Sequence, residues 1–173
     1  MNTARHKPAG YGIIGYVAWM ALLASACGPY SFSGSAYPHI KTIAIPVFED
    51  RTAEFGIKEE LTNSLVEAFA RDNTLKIADR RNADSILLGV LERVDDRPGA
   101  YNRQEQVQEI QVYLTVRLQY KDLKKRKVIW EDQIIQFGTY VPGGVEKGTR
   151  EAAISEAIEK IVDEVLNRTV SGW

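Results

Sequence analysis

One cysteine in 173 residues excludes an intrachain disulfide, so the fold must rest on its apolar core in any redox compartment. Histidine is nearly as scarce. His6 and His39 are the only two, too few for a Ser-His-Asp or Cys-His arrangement. His39 opens an apolar segment and reads as a surface or capping residue rather than a general base. No His, Cys and carboxylate cluster has metal-ligand spacing, and no cofactor is implied. Gly143, Gly144 and Gly148 imitate the glycines of a phosphate loop, but Thr149 stands where that loop needs Lys. Charge of one sign is lacking too: 22 Lys and Arg against 23 Asp and Glu leave a net charge of -1. Without a basic face the chain is not expected to bind nucleic acid. Repeats, heptads and low-complexity tracts are absent.

What is present begins with an export signal. Arg5 and Lys7 precede an apolar run over 11–23, and Ala24-Ser25-Ala26-Cys27 follows. The run falls short of the ~20 apolar residues of a membrane-spanning helix, and small residues at its end suit a peptidase. Residues 1–26 are therefore predicted to be removed. The remainder is enough for one domain with a single core, at a net charge of about -3 once Arg5 and Lys7 are gone. Residues 27–36, small, polar and aromatic, read as a short tether, and 37–173 as the domain.

Residues 37–48 form an apolar strand around which the rest is organised, regular up to Ile45 because Pro46 cannot donate to a ladder. A helix over 54–72 presents Ile57, Leu61, Leu65, Ala68 and Phe69 as one stripe, and Asn73 is its stop. Residues 75–78 admit a short strand. The nearly continuous apolar run 85–94 predicts a strand covered on both faces, with Gly89 marking a bulge or a close backbone approach. Asp95-Asp96-Arg97-Pro98-Gly99 reads as a turn. Residues 107–121 alternate strictly, Ile110, Val112, Leu114, Val116 and Leu118 against Gln111, Tyr113, Thr115, Arg117 and Gln119. A hairpin turn over 122–127 leads to a strand over 128–138, and a closing helix over 149–167 is capped by Thr149. The order predicts an α+β two-layer sandwich, a mixed four- or five-stranded sheet with two helices packed on one face. The basic run Lys124-Lys125-Arg126-Lys127 at the hairpin end is either a solvated turn or a ligand contact.

Ser25-Ala26-Cys27 resembles the bacterial lipobox, which implies acylation of Cys27; Gly28, not Asp, then permits transport to the outer membrane. Gly28-Pro29-Tyr30-Ser31-Phe32-Ser33-Gly34, Pro38-His39-Ile40-Lys41-Thr42-Ile43-Ala44-Ile45-Pro46-Val47-Phe48 and Ala83-Asp84-Ser85-Ile86-Leu87-Leu88-Gly89 resemble the LPS-assembly lipoprotein family LptE. The resemblance implies a non-enzymatic outer-membrane lipoprotein, anchored facing the periplasm, that plugs and helps assemble an LptD-type β-barrel and binds lipopolysaccharide. Aligned to that family, Arg103 and, with a slip of a residue or so, Lys147 fall at its ligand-contacting basic positions; Lys124, Lys125 and Arg126 add attraction if they lie at the same end. Gln111, Tyr113, Thr115 and Gln119 are the expected barrel contacts, with Tyr113 as aromatic anchor. The alternative is a periplasm-facing lipoprotein that activates a peptidoglycan synthase or belongs to a curli-type secretion system.

Overall fold

A computed structural model describes residues 37–101, 107–143 and 148–171. Eight elements follow in order: β1 Thr42–Ala44, β2 Glu49–Asp50, α1 Ile57–Asp72, β3 Lys76–Ile77, β4 Ser85–Tyr101, β5 Val107–Asp122, β6 Lys127–Tyr140 and α2 Arg150–Val170. They build one six-stranded mixed sheet in the order β3-β1-β4-β5-β6, with β2 paired to β4 off that path. β1 and β2 run parallel to β4, whereas β4, β5 and β6 form an antiparallel meander. Both helices share one core with the sheet face that carries Leu87, Leu91, Val112, Leu114, Val116 and Leu118. This is the expected sandwich with one strand more than expected.

The additional strand comes from the segment around Pro46. The single strand over 37–48 is two short ones, because the chain leaves the ladder after Ala44 and rejoins β4 only at Glu49. Val47 is 63% exposed in consequence, while Phe48 turns inward at 3%. The Phe48 ring occupies the space that a side chain on Gly89 would need, 2.3 Å from the position of a Cβ there. Gly89 therefore serves a close approach rather than a bulge. The Phe48 amide donates to Thr62 Oγ1 at 3.2 Å, which ties this link to α1.

Both helices match the periodic stripes. Ile57, Leu61, Leu65, Ala68 and Phe69 are buried on α1, which starts at Ile57 rather than 54 behind Gly56 and stops at Asn73 in the left-handed region, φ 58°. On α2, Ile154, Ile158, Ile161 and Val165 are buried, and Thr149 accepts from the Ala152 amide as N-cap. The turn expected over 95–99 is not one. β4 continues to Tyr101 because β5 is long enough to pair with all of it, and the ladder absorbs Pro98 at a register shift.

Candidate ligand and partner surfaces

Three surfaces lie outside the core, and the strand alternation of β5 creates the first. With Val112, Leu114, Val116 and Leu118 fully buried under the helices, Gln111, Tyr113, Thr115, Arg117 and Gln119 are committed to the opposite face. Among the described residues no element packs over that face. Tyr113 packs its ring on Phe137 at 5.1 Å between centroids, the Arg97 guanidinium sits 4.4 Å over it, and its hydroxyl donates to Gln111 Oε1 at 2.9 Å. Thr115 is only 9% exposed, between Arg93 and Ile135 in the ladder. Gln119 donates to Glu131 at 2.5 Å, and Glu92 receives both Arg117 at 2.8 Å and Gln133 at 2.6 Å. Gln111, Tyr113, Arg117 and Gln119 are thus already paired within the face. Beside them a shallow cleft of about 360 Å³ is lined by Pro46, Val47, Leu88, Val90, Arg117 and Glu131.

The second surface is the end where β4 meets β5 and β6 meets α2. Arg150 joins three elements there: its Nε donates to Asp96 on β4 at 3.0 Å, and its Nη2 to Glu54, ahead of α1, at 2.8 Å. Those two carboxylates hold the guanidinium pKa above its ordinary value. Tyr140 donates to Asp96 at 3.1 Å, and burial together with that bond raises the phenol pKa. Phe55, beside this cluster, is 99% exposed. Arg103 and Lys147 lie outside the described residues, as does Cys27. Their flanking strand ends are placed: Tyr101 pairs with Val107, and Tyr140 with Ile110.

The opposite end holds the β5–β6 turn. Lys124 is committed within the fold, its Nζ 2.7 Å from Asp84 Oδ1 and donating to the His39 carbonyl at 3.2 Å. Asp84 also accepts the Lys41 amide at 2.8 Å; the Lys124 bond and then that amide hold its pKa at about 2, against the opposing effect of burial. His39 Nε2 lies 2.5 Å from Asp122 Oδ2, and Asp122 accepts the Lys125 amide at 2.8 Å. β5 has 16 residues, so at ~3.3 Å each this turn stands roughly 50 Å from Val107 at the other end of the strand. Lys124, Lys125 and Arg126 thus stand at the far end of β5 from Val107, while Arg103 and Lys147 lie outside the described residues.

The sequence profile of the lipopolysaccharide-assembly family LptE matches residues 40–169, which spans both helices and nearly the whole sheet. The chain belongs to the LptE family. No curated protein sequence matches it. Among solved structures it resembles the hypothetical protein CT253 of Chlamydia trachomatis, at 9% identity and TM-score 0.57 over 75% of this chain and 96% of that one. It also resembles the PelC dodecamer of Paraburkholderia phytofirmans (15% identity, TM-score 0.51, 82% of this chain and 94% of that one). A third is a minor lipoprotein of Acinetobacter baumannii, at 14% identity and TM-score 0.50 over 77% and 94%. At such identities these likenesses establish the fold alone.

In this LptE-family chain, sequence reasoning misses two features of the surfaces. Arg97 and Phe137 complete the Tyr113 cluster, and the turn chemistry of 95–99 hides that this segment faces β5. Register fixes both partners once β4 is extended: Arg97 stands opposite Gln111, and Phe137 opposite Tyr113. The Arg150, Asp96 and Glu54 junction links residues up to 96 positions apart, and no local pattern signals it. Among the described residues no group of three potential metal ligands comes together, and no helix is long and apolar enough to cross a membrane.

Proposed function

We propose that this chain is an outer-membrane lipoprotein, acylated at Cys27 after loss of residues 1–26, that seats inside an LptD-type β-barrel, helps it assemble and binds lipopolysaccharide without catalysis. Family membership supports the general role in lipopolysaccharide assembly. The observation that carries the barrel reading is the sheet face opposite the helices. It offers Gln111, Tyr113, Thr115 and Gln119 in one pre-paired polar patch around a half-buried aromatic, a surface suited to the polar interior of an outer-membrane barrel. Cys27→Ser should leave the chain unprocessed or released from the membrane. A photo-crosslinking residue at Gln111 or Thr115, in cells co-expressing the chain and its barrel, should capture a large β-barrel in a one-to-one product. Capture of a peptidoglycan synthase, or of further copies of this chain in a closed ring, would overturn the reading.

For lipopolysaccharide the proposed contacts are Arg103 and Lys147, the first a planar fork for phosphate and the second a point charge. Replacing both by Asp should weaken lipopolysaccharide capture about tenfold or more while barrel association persists, since each charge-assisted bond contributes ~1.5–3 kcal/mol. Undiminished capture across salt concentrations would remove them from the site. Lys124, Lys125 and Arg126, at the far end of β5 from Val107, are left out of that contact.

A further inference from the structure

The β5–β6 turn carries a cationic cluster that neither the fold nor the proposed ligand contact uses. Lys125, Arg126 and Lys127 are exposed, and among the described residues their side chains form no ion pair. Lys41, exposed at the foot of β1, is likewise unpaired there. The carboxylates nearest to them are already engaged, Asp84 by Lys124 and the β1 amides, Asp122 by His39 and the Lys125 amide. Arg126 has φ 54°, in the left-handed region, where Gly or Asn would be the economical choice. A large cation held at a position that local backbone preference would give to glycine points to a use for the charge.

The entry of the chain lies beside this cluster. Lys124 grips the carbonyl of His39 and Asp122 grips its ring, so the first described residues are clamped beside the turn. Tyr37 packs edge-on against His39 at 6.3 Å, and its carbonyl accepts the Ile40 amide at 2.9 Å. The nine residues 28–36 between Cys27 and Tyr37 reach at most roughly 30 Å. We propose that the β5–β6 turn, through Lys125, Arg126 and Lys127 with Lys41 beside them, is a docking surface for the anionic phospholipid headgroups of the leaflet that holds the lipid anchor. The inference rests on the Cys27 acylation proposed above. Acyl chain and polybasic patch are complementary signals, the first setting membrane residence and the second setting orientation. Docked in this way, the domain stands on its turn end, with the paired Tyr101 and Val107 ends of β4 and β5 away from the leaflet.

The full chain, purified from the cells that express and process it and mixed with vesicles, tests this. One fluorophore on Val128→Cys reports the turn, and another, on Phe55→Cys, reports the far end; both positions are exposed. Energy transfer to a headgroup acceptor is read in vesicles of one part phosphatidylglycerol to two parts phosphatidylcholine, and in phosphatidylcholine alone. Transfer from the turn should be high in the anionic vesicles only and should fall in concentrated salt, while the Phe55 position stays distant in both. Lys125→Gln with Arg126→Gln and Lys127→Gln should lower the docked-to-free ratio about 100-fold, at the attraction typical of three surface cations. Equal transfer in neutral and anionic vesicles, or no response to the triple substitution, overturns the docking surface. Failure of the wild-type chain to co-sediment with either vesicle refutes acylation instead, so the two readings fail separately.

Discussion

Gly138→Ala is the sharpest test of how α2 is seated on the sheet. Gly138 pairs with the fully buried Val112, and a Cβ on it would stand 1.9 Å from the Ala153 carbonyl oxygen, 2.6 Å from its carbon and 2.9 Å from its Cα. All three atoms are backbone, so no rotamer change relieves the overlap. To restore ordinary contact the first turn of α2 must lift by roughly 1.5 Å. That movement loosens Ile154, Ala157 and Ile158 in the core, and pulls Glu156 from the Thr139 amide and Lys160 from the Phe137 carbonyl. Overpacking typically destabilises by 1–3 kcal/mol, and a rigid backbone neighbour puts this site at about 3 kcal/mol. In a domain of this size that lowers Tm by ~6–12 °C. Gly56→Ala is the control: φ is 84°, but nothing lies within 4 Å of the added Cβ, so only backbone strain of about 1 kcal/mol is expected. Urea denaturation of both variants decides. If Gly138→Ala is no less stable than Gly56→Ala, the tight seat of the helix is not what glycine serves there.

Glu156→Ala combined with Lys160→Ala should bare the outer edge of β6, giving dimers or larger species by light scattering at a small change in monomer stability; a strictly monomeric variant would refute edge protection. Asp84 is held at about 2 against an ordinary 3.8, so its contribution is complete above pH ~4 and disappears as pH falls towards 2. The stability gap between wild type and Asp84→Asn should close over that interval in acid titration by circular dichroism, and a gap independent of pH would remove Lys124 as the cause. Phe69→Ala empties a fully buried site between α1 and the sheet and should cost about 3–5 kcal/mol in urea denaturation; a loss under 1 kcal/mol would show that this core collapses to fill the space.

Periodicity made the two helices and β5 legible, because burial of one face imposes a repeat that Ile154, Ile158, Ile161 and Val165, or Val112, Leu114, Val116 and Leu118, display directly. Local turn chemistry misled at 95–99. Asp-Asp-Arg-Pro-Gly satisfies every turn preference, yet a long neighbouring strand supplies the hydrogen bonds that keep it extended, and tertiary pairing overrides propensity. The polar side of β5 was legible as a face, but its chemistry was not. The Tyr113, Phe137 and Arg97 cluster depends on register across three strands, which no single segment encodes. The hairpin cations were legible as charge, while their end of the molecule followed only from the sheet topology.

That topology also limits how a partner can engage the domain. A sheet invites strand addition wherever an edge is long and unpaired. At the β6 edge the Thr139 amide donates to Glu156 and the Phe137 carbonyl accepts from Lys160, so α2 occupies the groups an incoming strand would need. Arg168 bridges Asp132 of the same strand and Glu164 of its own helix, extending the cover along β6. On the opposite side β3 is two residues long, and beyond β2 the outer side of β4 from Arg93 to Tyr101 has no strand partner among the described residues, where the charges of Arg93, Asp95, Asp96 and Arg97 and the missing donor of Pro98 deter strand addition. With both edges blunted, association through backbone pairing is disfavoured, and the surfaces left for a partner are the open sheet face and the two ends. Exposed Ile135 and Val47 lie on the same side as Tyr113 and Thr115, giving that face apolar area as well as polar pairing. A side-chain interface with the wall of a barrel needs such a mixed, pre-ordered face and edges that resist strand addition, so edge protection and the proposed seat favour the same geometry.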